Sequence, residues 1–84
     1  MKREPNEGGR QLVIAIERAN MTRMAAEDRC EAARGLFTRL ISGERKPGRA
    51  LGERIRKEFG VGPDLWDVPA RVAYDPRAKT GTEG

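Results

Sequence analysis

Between residues 32 and 57, in the stretch AARGLFTRLISGERKPGRALGERIRK, stand eight of the chain's 17 basic residues. They are Arg34, Arg39, Arg45, Lys46, Arg49, Arg54, Arg56 and Lys57, and only Glu44 and Glu53 oppose them. The rest of the chain carries a slight acidic excess, so the formal charge of +4 arises from one patch. Lysine and arginine at this density attract phosphate, and the planar fork of arginine also matches the O6 and N7 of guanine. A single surface arginine is ordinarily just a solvated charge. Here the cations are interleaved with apolar residues at helical spacing: Leu36, Phe37, Leu40 and Ile41, then Leu51, Ile55 and Phe59. Ser42-Gly43-Glu44-Arg45-Lys46-Pro47 separates the two groups. Gly43 supplies a left-handed residue to end one helix, and Pro47 suits the first turn of the next. A short helix with a positive face, stopped sharply and packed on a second helix, is a way to present a probe to DNA.

Other chemistries find little support. The chain has no histidine, which removes the usual general base and the usual zinc ligand. Neither G-x-G-x-x-G nor G-x-x-x-x-G-K-[ST] occurs. No catalytic residue, cofactor or metal site is expected, and the chain does not read as an enzyme. The one cysteine, Cys30, gives no internal disulfide framework and reads as a small core residue in a reducing cytoplasm. The longest apolar run is Leu12 to Ile16, too short for a membrane span or a signal peptide.

The elements that must carry the patch follow from periodicity. With 84 residues there is room for one small core. Residues 1–9, MKREPNEGG, read as a flexible arm. The first helix is expected over Gln11–Asn20, with Leu12, Ile16 and Ala19 on one face, although Val13, Ile14 and Ile16 would also suit a strand. The second is expected over Met21–Glu31, with Asn20 or Thr22 as N-cap and Ala26, Cys30 and Ala33 facing inward. The third spans Ala32–Ser42 and the fourth Pro47–Phe59, closed by Gly60. Pro63-Asp64-Leu65-Trp66-Asp67 reads as one short turn of helix, with Pro69 forbidding its extension and Trp66 closing the core. Periodicity ends at Ala70, so residues 70–84 read as a disordered tail with Val72 and Tyr74 as its only handles.

The stretch FTRLISGERKPGRALGERIRKEFGVGPDLW resembles the second half of the phage-repressor and Cro-like (XRE) helix-turn-helix family, especially its small phage and plasmid regulators. Phe37 and Leu40, then Gly43, Pro47, Leu51 and Ile55, Phe59-Gly60-Val61 and Leu65-Trp66 carry the resemblance, which covers about half of the chain. Extended backwards, the register puts Ala26, Cys30 and Ala32 at apolar positions. It puts Glu27 where the family usually has alanine, and Glu31 where it often has a turn glycine. A left-handed Glu31 would cost roughly 1 kcal/mol; a longer or rotated turn is the alternative.

The resemblance implies an all-α bundle of four to five short helices over residues 10–69, with a recognition helix at 33–41 laid in the major groove. Base-reading positions would fall on Arg34, Gly35, Thr38 and Arg39. Phosphate-contacting positions would fall on Arg23, Ser42, the amide of Gly43, Arg45 and Lys46. The function implied is that of a sequence-specific regulator of double-stranded DNA, a repressor or autoregulator acting as a homodimer in the bacterial cytoplasm or nucleoid. An antitoxin-like protein, whose tail over 70–84 binds a protein partner, is the rival reading. A nonspecific architectural or RNA-binding protein is disfavoured, since the sequence holds no aromatic platform for stacking bases.

Overall fold

The computed structural model describes residues 5–71, in which four α-helices and one 3-10 helix follow one another: α1 Glu7–Arg18, α2 Arg23–Arg29, α3 Leu36–Ser42, α4 Arg49–Phe59 and the 3-10 helix Pro63–Asp67. The architecture is all-α, as expected. The only β feature among the described residues is an isolated bridge between Asn6 and Pro69, and Val13, Ile14 and Ile16 are helical. Among the described residues no helix is long and apolar enough to cross a membrane.

Helix α1 begins inside the stretch that reads as an arm. Asn6 is its N-cap, and its side-chain oxygen accepts from Gly9 N at 2.7 Å. Glu7 is fully buried. Its carboxylate accepts from the Arg10 guanidinium, from Gln11 Nε2 at 2.9 Å and from the Arg71 amide at 2.8 Å. The Arg10 hydrogen bond outweighs the effect of burial and holds this carboxyl far below the ordinary carboxylate range. Beside it, Glu7 N donates to Val68 O at 2.7 Å and Ala70 N to Pro5 O at 3.3 Å. Residues 5–9 and 70–71 thus belong to the packed domain rather than to an arm and a tail, because a buried carboxylate draws its donors from both ends of it. Residues 1–4 and 72–84, including Val72 and Tyr74, lie outside the described residues.

The helices share one way of stopping, a left-handed residue just past the last turn: Asn20, Glu31, Gly43 and Gly60. At the first three, two amides fold back on the helix they leave. Met21 N donates to Ile16 O, Ala32 N to Glu27 O and Glu44 N to Arg39 O, while Asn20 N reaches Glu17 O, Glu31 N Asp28 O and Gly43 N Leu40 O. This pairing satisfies carbonyls that a helix end otherwise leaves bare. The choice between Asn20 and Thr22 as the cap of α2 falls on Thr22, whose Oγ1 accepts from Ala25 N at 3.1 Å.

The core joins Leu12, Val13 and Ile16 of α1 to Ala26 and Cys30, then Phe37, Leu40 and Ile41 of α3, Ile55, Val61 and Trp66. α1 is the hub, packing on α3, α4 and the 3-10 helix, while α2 packs on α3. Trp66 is 3% exposed and lies against the backbone of Gly8, where a Cβ would sit 2.5 Å from Trp66 Cδ2. Two expected core positions are exposed, Ala19 and Ala33. Each stands just past the regular part of a helix or before the next one starts, where the 3.6-residue period no longer applies.

Candidate nucleic-acid interface

The third helix is shorter than the sequence pattern suggests. It starts at Leu36, so Ala32 to Gly35 form the connection from α2. Gly35 stands at φ 84° as the N-cap, a conformation in which glycine avoids the strain other residues meet. Arg34 and Gly35 therefore lie ahead of α3 and not on it, so Arg34 and Arg39 do not share one helix as the implied recognition helix at 33–41 requires. Glu31 takes the left-handed conformation at φ 56°, and the connection is also long, so both departures weighed for this turn occur together.

A cap that Gly35 cannot supply comes from across the turn. Glu27 is 4% exposed, and its Oε2 accepts from Phe37 N, in the first turn of α3, at 2.9 Å. Its backbone carbonyl accepts from Ala32 N at 2.8 Å. One residue thus fastens both ends of the connection. An acid among core residues reads as a misfit in the sequence; the pattern shows only that the position should be apolar.

Within α3 the faces divide cleanly. Phe37, Leu40 and Ile41 are buried, whereas Thr38 and Arg39 are exposed. Arg23 Nη1 of α2 stands 3.5 Å from Thr38 Oγ1, a long contact that brings Arg23 beside the outer face of α3. At the far end of α3 the backbone is already committed. The Gly43 amide donates to Leu40 O at 3.2 Å, so it is not free for a phosphate as expected. The Ser42 hydroxyl donates to Arg39 O at 3.1 Å, which occupies the one proton it could offer. Lys46 Nζ is 2.7 Å from Asp67 Oδ1, an exposed pair. Of the expected phosphate-contacting groups beyond α3, Arg45 alone presents an exposed side chain without an ion pair to a described carboxylate, although its amide donates to Arg39 O at 3.2 Å.

The remaining cations separate into two sets. Arg10 and Arg71 meet Glu7, Arg29 meets Glu58 at 3.8 Å, Arg54 meets Glu31 at 4.0 Å and Arg56 meets Glu53 at 2.9 Å. In contrast, Arg18 of α1 and Lys57 of α4 are exposed and form no ion pair with a described carboxylate, and neither do the four exposed arginines Arg34, Arg39, Arg45 and Arg49. These four lie on α3, on the connection before it and along the segment that leads into α4, which starts at Arg49 and not at Pro47. Arg49 was not among the expected contact residues.

Cys30 is fully buried, and burial pushes its thiol up to about 11. Among the described residues no group of three or more Cys, Asp or Glu side chains is placed to hold a metal ion. Neither a protein-family model nor a curated protein nor a solved structure matches the chain.

Proposed function

We propose that this protein is a sequence-specific double-stranded DNA-binding regulator of the helix-turn-helix type, acting as a dimer that occludes a promoter. The observation that carries the reading is the clustering of Arg34, Arg39, Arg45 and Arg49, exposed and without a described carboxylate partner, on and around a short helix whose opposite face is core. Arg10, Arg29, Arg54, Arg56 and Arg71 each meet a described carboxylate; those four arginines around α3 do not and are left for an external anion. Arg39 and Thr38, adjacent on the exposed face, are the base-reading pair. A bidentate arginine–guanine contact is worth roughly 1–3 kcal/mol of discrimination. Arg34 and the Gly35 backbone approach the duplex from the turn before α3. Arg45 and Arg49, joined by Arg23 and by Lys46 once it leaves Asp67, hold phosphates, which positions the duplex without reading it. Two copies on half-sites about one helical turn apart would supply the affinity that a single small module lacks.

The test is fluorescence anisotropy of the full chain on a labelled duplex from upstream of its own gene, against a scrambled duplex, at two salt concentrations. The reading expects a preference for the native duplex that persists at the higher salt. It also expects Arg39→Ala to lose about ten- to a hundredfold on that duplex and far less on the scramble. Equal, salt-labile binding to both duplexes, unchanged by Arg39→Ala, would overturn it.

A further inference from the structure

We infer that Glu27 is a positioning residue for DNA recognition, which sets the orientation of α3 and through it the sequence preference of the protein. The inference rests on the proposed DNA-binding reading. Glu27 lies on α2, is nearly inaccessible to solvent and bonds through its carboxylate to the amide of Phe37, so it acts through α3.

The connection between α2 and α3 has little else to hold it. Its turn is closed by Ala32 N on Glu27 O and by Glu31 N on Asp28 O, and Leu36 N reaches Ala33 O at 3.1 Å. Gly35 offers no side chain to cap α3. The bond from Phe37 N to Glu27 Oε2 is therefore the short, buried tie between the body of α2 and the first turn of α3, beside the longer exposed contact of Arg23 with Thr38. Phe37 is fully buried, so its ring fixes where α3 sits, while its amide fixes the rotation and tilt of the helix start. Thr38 and Arg39 are the next two residues. A small rotation about the Phe37 anchor moves the Arg39 fork out of the narrow distance and angle range of a bidentate contact. Phosphate contacts tolerate the same displacement far better, since a charge on a long flexible side chain can follow its partner.

A buried acid would be an odd way to fill the position if only volume mattered. Alanine packs there without desolvating a charge, whereas a carboxylate accepts strongly from an amide at a helix start. The side chain is kept for that bond. Glutamine retains its length and one acceptor oxygen. Aspartate retains the charge but is one methylene too short. Alanine removes the acceptor altogether.

The experiment compares Glu27→Gln, Glu27→Asp and Glu27→Ala in the full chain. The probe is the best duplex that the wild-type chain selects from a randomised library, with a scrambled duplex as reference, and thermal melts confirm folding. Glu27→Gln should stay within about threefold of wild type in its preference for the selected duplex. Glu27→Asp and Glu27→Ala should lose at least about tenfold of that preference while binding the scramble nearly as before. Hydrogen exchange at the Phe37 amide should be slow in wild type and Glu27→Gln, and at least about tenfold faster in the other two. Folded Asp and Ala variants with an unchanged preference would overturn the inference, as would a Gln variant that falls as far as Ala. If the wild-type chain selects no duplex, the DNA reading fails by itself. Exchange at Phe37 then still decides whether Glu27 holds α3, and unchanged exchange in the Asp variant refutes it.

Discussion

Gly8 and Gly52 are both helical glycines, and replacing each with alanine should move stability in opposite directions. Helix propensity alone favours alanine at both by roughly 0.5–1 kcal/mol. Nothing lies within 4 Å of a Cβ built on Gly52, so Gly52→Ala should keep that gain. A Cβ on Gly8 would lie 2.5, 2.8 and 2.9 Å from Trp66 Cδ2, Cε3 and Cε2. Carbon atoms pack comfortably at about 3.5–4.0 Å, so the indole must retreat by about 1 Å or the first turn of α1 must open. Overpacking of this kind costs about 1–3 kcal/mol, which exceeds the propensity gain. Gly8→Ala should therefore be destabilised by about 1 kcal/mol net, lowering the melting temperature by about 4–8 °C. Gly52→Ala should melt a few degrees higher than wild type. Far-UV circular dichroism follows the melts, and the fluorescence of Trp66, the only tryptophan, reports its surroundings. A Gly8→Ala variant as stable as Gly52→Ala, with unchanged emission, would refute the stacking of Trp66 on the start of α1.

Three further outcomes follow from the charges. The folded state holds the Glu7 carboxyl well below its ordinary value of 4.5, so the unfolded chain takes up a proton first as pH falls. The stabilisation is complete above that value and is lost progressively below it; Glu7→Gln should cost roughly 1–3 kcal/mol near pH 7 and flatten the acid limb of a urea-denaturation series against pH. Asp67→Asn should release Lys46 and tighten binding to any duplex, by no more than about fivefold because the pair is exposed; anisotropy at low salt measures it, and weaker binding would remove Lys46 from the phosphate-contacting set. Cys30, buried and with its thiol pushed up to about 11, should resist an aromatic disulfide reagent in the native protein and react at once in guanidinium, as read by thiolate release.

Much of the fold was legible because its signals are local. Left-handed stops at Gly43 and Gly60, a threonine cap at Thr22 and apolar residues at helical spacing each act within a turn or two of chain. The same is true of Pro63, which starts the 3-10 helix Pro63–Asp67. Where reading failed, a local signal was masked by a neighbour. Asn6 followed by Glu7 is an N-cap with an acid in the first turn, but the glycine pair after it hides the helix start. Gly35 in the middle of an apolar period looks like a weak helical residue, and the left-handed conformation that delays α3 does not show in the pattern.

Composition and spacing by themselves determined an all-α chain with one basic patch beside a short helix, because periodicity and charge are properties of neighbouring residues. Tertiary structure alone decided which of those charges stay available. Lys46 finds Asp67 21 residues away, Phe37 N finds Glu27 10 residues away and the Arg71 amide finds Glu7 64 residues away. Each pairing depends on where the helices come together in space. A carboxylate's role is set by the donors that packing brings to it, and no local pattern encodes that meeting.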